Sequence, residues 1–350
     1  MKTKLFYQLF LLVFFQLIFV VTINAEEITK KVQETFTTSD NSVVNLENKY
    51  GDIDIENWEK NSVQIEVFIK VEASSASKAE EVMKKISISL TKSGDDIFGK
   101  TDLEGSFSNV EFSITYKVKM PKNLVLNLEN KFGDVFINEL SNKFNVTVKY
   151  GALKINMLSG DNTKPYGVIN LQYSKSSRID NCNYIKLDLS YSKLSIGDAN
   201  AIISSSKYSK LGVKSANLMV ADSKYDSYKI GTVNAFKTTS AYADIEIELV
   251  KQILKLETKY TNTGVEKISN DFKKIEIVNS YGSINLGIDP TVSYKLNAEA
   301  QYANVNVPES KNLSKIKETT RTKYWGLVGE DNSAKATIDI ETKYGNVDLN

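Results

Sequence analysis

The sequence predicts an all-β fold, a parallel β-helix or β-solenoid of about ten to eleven coils with a small α+β cap at its N-terminal end. Three observations carry this. First, a lysine-aromatic-small signature recurs as Lys49-Tyr50-Gly51, Lys131-Phe132-Gly133, Lys149-Tyr150-Gly151, Lys207-Tyr208-Ser209, Lys224-Tyr225-Asp226, Lys259-Tyr260-Thr261 and Lys343-Tyr344-Gly345, with degenerate copies at Tyr173, Tyr191, Tyr242, Tyr281 and Tyr302. From Tyr150 the steps are 23, 18, 17, 17, 17, 18, 21 and 21 residues, then 42, or two units, to Tyr344. Second, apolar and polar residues alternate on both sides of the aromatic, the mark of half-buried strand. Third, 18 Tyr and 15 Phe with only 4 Pro and 17 Gly favour strand.

Residues 1–25 stand outside the fold. A basic start, an apolar run from Leu5 to Val21 and the small Ala25 read as a secretory signal cleaved before Glu26. Export to the periplasm, outer surface or extracellular space is the consequence, with no transmembrane segment in the mature chain. Residues 26–121 form the α+β cap with the first coil. Within it, Ser74 to Lys85 is the one helical stretch, with Ser77 and Glu80 as a capping box and Ala79, Val82, Met83 and Ile86 at helical spacing. Strands are expected at 63–71, 86–91 and 110–120.

Residues 122–350 form the repeats. Pairs such as Ile53/Ile55, Val135/Ile137, Leu194/Ile196 and Ile284/Leu286 follow the aromatic, with their phase shifted by one. That shift marks the small residue as a corner where glycine supplies unusual dihedrals, and places the aromatic in a stacked column inside or at the rim of the coil. Units this short fit one coil each, and coils ~4.8 Å apart make a rod about 50 Å long. Two residues before the aromatic, Ser206, Ser223, Ser240 and Thr258 imply either a narrow waist or a ladder of hydrogen bonds. An excursion at 308–335 interrupts the period, with strands at 316–324 and 336–341 around a loop at 326–333. It either covers the last coil or leaves it as an edge. Trp325 within it is expected in the core. Exposed beside Tyr324, it would instead stack on a sugar or aromatic ligand.

The chemistry is sparse. The net charge is +1, with Lys and Arg totalling 44 against 43 Asp and Glu, so no footprint for nucleic acid exists. The chain has no His and one cysteine, Cys182, which closes off an intramolecular disulfide, His-based chemistry and the common metal sites; Cys182 is expected between repeats, half-buried. Asp52, Asp134, Asp54, Asp244 and Asp348 alternate with apolar residues on a solvent face and scatter across coils. The lysines before the aromatic, in seven of twelve units, are expected to be offset by Glu47, Glu129, Glu257 and Glu341. No catalytic, cofactor-binding or metal-binding residues emerge, and no cofactor.

The segment Lys49-Tyr50-Gly51-Asp52-Ile53-Asp54-Ile55-Glu56-Asn57-Trp58 and its descendants resemble a bacterial family of secreted β-helical proteins, a putative-adhesin domain of unknown function. The resemblance spans nearly all of the chain after residue 25, including the helix near 74–85, Met120-Pro121-Lys122-Asn123-Leu124 and Asp271-Phe272-Lys273-Lys274-Ile275. It implies a right-handed β-helix exported to the envelope or surface. The expected function is that of a non-enzymatic adhesin or envelope-binding protein that presents repeat faces to a glycan or protein partner. The alternatives are a carboxylate-dependent carbohydrate-active enzyme and a structural or stress-sensing envelope scaffold.

Overall fold

A computed structural model describes residues 26–108, 110–160 and 167–350. The expected signal segment, 1–25, lies outside the described residues. The protein is all-β, with one nine-residue helix and a single 26-stranded sheet among the described residues. The sheet is mixed. Parallel pairing runs through the repeats, and antiparallel strands occur only at the two ends.

Each repeat places a strand before its aromatic and a strand after it. Both pair in parallel with the equivalent strands of the next unit. Phe144–Lys149 lies between Val125–Lys131 and Gly167–Gln172, in register. In the middle of the chain the strand after one aromatic runs on into the strand before the next, as in Lys193–Lys207, Lys210–Lys224 and Ser227–Ala241. The alternating apolar residues face one another between these layers. Leu194, Leu211, Tyr228 and Ile245 occupy one interior column, almost free of solvent.

The order of units in space departs from their order in sequence. Thr337–Lys343 inserts between Lys274–Ser280 and Tyr294–Gln301, parallel to both. Val347–Leu349 is likewise flanked by Ile284–Ile288 and Val305–Asn306. The 42-residue step therefore reflects an excursion that carries the chain outward and back into a slot one unit earlier. The excursion is a hairpin: Leu313–Lys317 pairs with Arg321–Val328, and the latter covers Tyr294–Gln301 antiparallel. The expected strand at 316–324 is thus broken at 318–320, and the expected loop at 326–333 begins as strand.

At the other end, Val43–Lys49 is covered by Asp96–Leu103, and Ile53–Asn57 by Glu111–Met120. Outside them lie Ser62–Ala73 and Glu26–Thr37, antiparallel. The helix Ala76–Lys84 rests on this layer through Ala79 and Val82. Its N-cap is Ser75, whose hydroxyl accepts from the Lys78 amide, so the expected box at Ser77 lies two residues too late. Open edges at either end would otherwise invite further strand pairing.

Candidate functional site

The aromatics form one column on the outside of the protein. Eleven successive stacks link Tyr50, Phe132, Tyr150, Tyr173, Tyr191, Tyr208, Tyr225, Tyr242, Tyr260, Tyr281, Tyr344 and Tyr302, with ring centroids 4.7–5.1 Å apart and planes within 19°. Each ring is 37–59% exposed, so of the two expected placements, inside or at the rim of the coil, the column does not take the interior one. The corner conformation also belongs to the aromatic. All twelve have φ between +51° and +64°, whereas the following residue, with the exception of Gly51, does not have positive φ. The left-handed conformation turns the ring outward while its amide still donates to the next unit, as Tyr208 N–H does to the Lys224 carbonyl at 3.0 Å.

A left-handed L-residue costs roughly 1–2 kcal/mol. An aromatic stack contributes about 0.5–1.5 kcal/mol beyond area burial. Because every interior ring has two stacked neighbours, the column offsets the strain of its own corners. Its ring faces are consumed in doing so, and only edges and phenol hydroxyls meet solvent.

The small residue after the aromatic is a matter of space. A Cβ on Gly133 would lie 2.0 Å from the Gly51 carbonyl oxygen, and one on Gly151 would lie 1.9 Å from that of Gly133. The corner leaves backbone groups outside the strand ladder, and buried side chains satisfy them. Asn48, Asn130 and Asn279 donate to the carbonyls of Gly51, Gly133 and Gly282. In the middle units Ser192, Ser209 and Asp226 accept from the amides of Ser174, Ser192 and Ser209. The small residues two before the aromatic resolve as a hydrogen-bonded interior. Ser206 donates to Asp226 at 2.7 Å and lies 3.0 Å from the Tyr228 hydroxyl, while Ser223 donates to Ser240. Burial holds the Asp226 carboxyl above its ordinary range despite these donors.

The outward acids serve the same corners. Asp52 accepts from the Asp134 amide, and Asp134 from the Ala152 amide, each at 2.7 Å. Asp244 and Asp348 accept from Asn262 and Asn306 of adjacent units. Burial, then the neighbouring Glu56, raises Asp54. Asp52 and Asp54 share the first unit, beside Glu56, while Asp134, Asp244 and Asp348 lie in separate units, and no cluster of three or more potential metal ligands occurs among the described residues. Sequence reasoning missed the outer amide ladders, Asn57–Asn138–Asn156 and Asn200–Asn217–Asn234, whose signal was the recurrence of Asn at one offset.

Of the carboxylates expected to balance the lysines, Glu129 does so, with Lys149 of the next unit at 2.9 Å. Lys131, Lys224 and Lys259 instead bring their ammonium groups to 4.8–5.5 Å from the centroids of the rings that follow them. Cys182 is buried rather than half-buried, and burial pushes its thiol up to about 12. Trp325 is 37% exposed, which corrects the expectation of a core residue. It points away from Tyr324, which packs toward the core under Lys315, so the two do not form a pair. Trp325 lines a cavity of about 750 Å³ on the outer face of the C-terminal hairpin, with Lys295, Asn297, Ile316, Lys323 and Leu327.

No helix among the described residues is long and apolar enough to cross a membrane. No protein-family model matches the sequence, and no curated protein matches it. Among solved structures it is similar to a putative adhesin from Parabacteroides distasonis (10% identity, 73% of this chain and 98% of that one, TM-score 0.37). A putative adhesin from Parabacteroides merdae is comparable (12%, 73% and 97%, TM-score 0.34). So is a putative lipid binding protein from Parabacteroides distasonis (14%, 75% and 97%, TM-score 0.31). Likenesses this distant leave those names with the proteins that bear them.

Proposed function

We propose that the protein is an exported, non-enzymatic binding protein whose units wind as a right-handed β-solenoid over 122–350, closed by residues 26–121, and that it presents a face to a glycan or protein partner at the cell envelope or beyond. The observation that carries this is the employment of the outward acids. Asp52 and Asp134 are tied to the backbone of the next unit, and Asp244 and Asp348 to its side-chain amides, so the acids that recur along the units are committed to the fold; among these five, Asp54 keeps a buried oxygen without a partner, beside Glu56. What remains outward is repeated chemistry at constant spacing, a surface suited to an extended partner held through several weak contacts.

The test is a glycan array and an envelope-extract pull-down with the chain from residue 26 onward, alongside fractionation of cells expressing a tagged full-length protein. Saturable capture of one ligand class by an exported protein is expected. Retention in the cytoplasm, or no capture across both screens, refutes the proposal.

A further inference from the structure

The C-terminal hairpin carries the one indole of the excursion, in a setting unlike any repeat. Tyr294–Gln301, Arg321–Val328 and Leu313–Lys317 make a three-stranded antiparallel layer. Its inner face is Tyr294, Leu296, Ala298 and Val328, all buried. On its outer face Trp325 is central. Asn297 lies directly across on one side and Ser314 on the other. Ile316, 40% exposed, and Leu327 complete an apolar floor. An indole left partly bare on a fully paired strand is not there to fill the core.

The charges around this floor are unequal. Arg321 holds Glu299 through two bonds of 2.8 Å, and Lys323 approaches the same carboxylate at 3.4 Å. Glu299 is therefore shared by two cations. Lys295, at the cavity rim and opposite Leu327, makes no ion pair among the described residues. Asp339, opposite Asn297 on the neighbouring strand, adds a second carboxylate, so Lys295, Arg321 and Lys323 face Glu299 and Asp339, and the face keeps a small positive excess with one ammonium that makes no ion pair among the described residues.

We infer that this face is a saccharide subsite for a hexuronate, a pyranose bearing a carboxylate. The axial C–H face of the sugar, weakly positive, lies on the negative π face of Trp325. Asn297 offers both a donor and an acceptor, and Ser314 a hydroxyl, to the ring hydroxyls. Lys295 takes the carboxylate. A cavity of this volume suits a small oligosaccharide. The site presupposes the binding role proposed above and gives it a ligand class and an address.

The experiment titrates the chain from residue 26 onward with galacturonate and glucuronate oligomers and with their methyl esters, by calorimetry and by tryptophan fluorescence. The acidic oligomers are expected to bind and to quench the indole. Trp325→Ala should weaken affinity at least about tenfold, and quenching should vanish. The remaining indole, Trp58, donates to the Ser62 carbonyl beneath Lys60, in the N-terminal part of the chain. Lys295→Gln should weaken the acidic oligomers about tenfold and abolish their advantage over the methyl esters, since the charge-assisted bond is what distinguishes them. Three results each overturn the inference: no binding of the acidic oligomers, equal binding of acid and ester, or binding unchanged in Trp325→Ala. If the arrays or extracts still yield a ligand, only this subsite fails. If they yield none, the binding role fails with it.

Discussion

Replacing Tyr208 separates the two opposing contributions of the aromatic column. The ring stacks at 4.8 Å on Tyr191 and on Tyr225, and φ is +52°. Tyr208 is 48% exposed, so removing the ring returns about 100 Å² of apolar contact to water, about 2.5 kcal/mol as an upper estimate. Two lost stacks add about 1–3 kcal/mol. Tyr208→Ala keeps the left-handed strain and loses all of this, a total of up to about 3.5–5.5 kcal/mol. Tyr208→Gly loses the same contacts but relieves roughly 1–2 kcal/mol of strain, against about 0.5–1 kcal/mol of extra chain entropy. Glycine is therefore expected to be the milder substitution by up to about 1.5 kcal/mol, although it is the smaller residue. Urea titration of both variants beside the parent checks this, comparing midpoints at one site so that unequal cooperativity along the repeats cancels. An alanine variant clearly more stable than the glycine variant refutes the left-handed strain assigned to this corner. A loss below about 1 kcal/mol in both would show that the rings contribute little to the corners.

Three further outcomes follow from the same geometry. Gly133→Ala drives a Cβ to within 2.0 Å of the Gly51 carbonyl and should lower stability by about 2–3 kcal/mol, whereas Gly264→Ala meets nothing within 4 Å and should be neutral or gain about 0.4–1 kcal/mol, both read by thermal unfolding. Burial raises the Asp226 carboxyl, so its contribution to stability is full below the unfolded pKa and declines as pH rises through the folded one. The melting temperature of Asp226→Asn relative to the parent should therefore climb between about pH 3 and pH 7, and a fall over that range counts against the assignment. Cys182, its thiol pushed up to about 12 by burial, should resist iodoacetamide at about pH 8 in the native protein and react on unfolding, as followed by mass spectrometry.

The period and the alternation were legible because each is local. A residue that alternates with polar neighbours declares its face whatever lies beyond it, and Ile53, Ile55, Val135 and Ile137 are all buried where the pattern placed them. The corner was not legible, because propensity alone assigns a left-handed position to glycine. Tyr150 adopts it with the rings of Phe132 and Tyr173 above and below, a fact of the neighbouring units rather than of its own segment. The intercalation of Thr337–Lys343 was hidden for a similar reason. Its strand pattern matches every other unit, and only the covering of Tyr294–Gln301 by Arg321–Val328 leaves the slot beside Lys274–Ser280 for it to fill. Trp325 was misplaced because a lone Trp usually packs, and the sequence does not announce that the excursion is an added layer with a second face.

The same geometry separates fixtures from sites. A stack of short units turns at every aromatic, and each turn takes backbone amides and carbonyls out of the strand ladder. Buried or bridging groups left unpaired cost about 1–3 kcal/mol apiece, so a dozen turns demand a dozen repairs. Asn48, Asn130, Ser192, Ser209 and Asp226 make them from inside, and Asp52 and Asp134 from outside. Polar residues recurring at these offsets carry information about corners and none about ligands. The C-terminal hairpin has no such corner under Trp325: ladder bonds on both sides satisfy its backbone. Asn297, Ser314 and Lys295 are therefore not required by the fold in the way the corner residues are. Polar groups that surround an exposed indole without structural employment are where selection for a ligand is free to act.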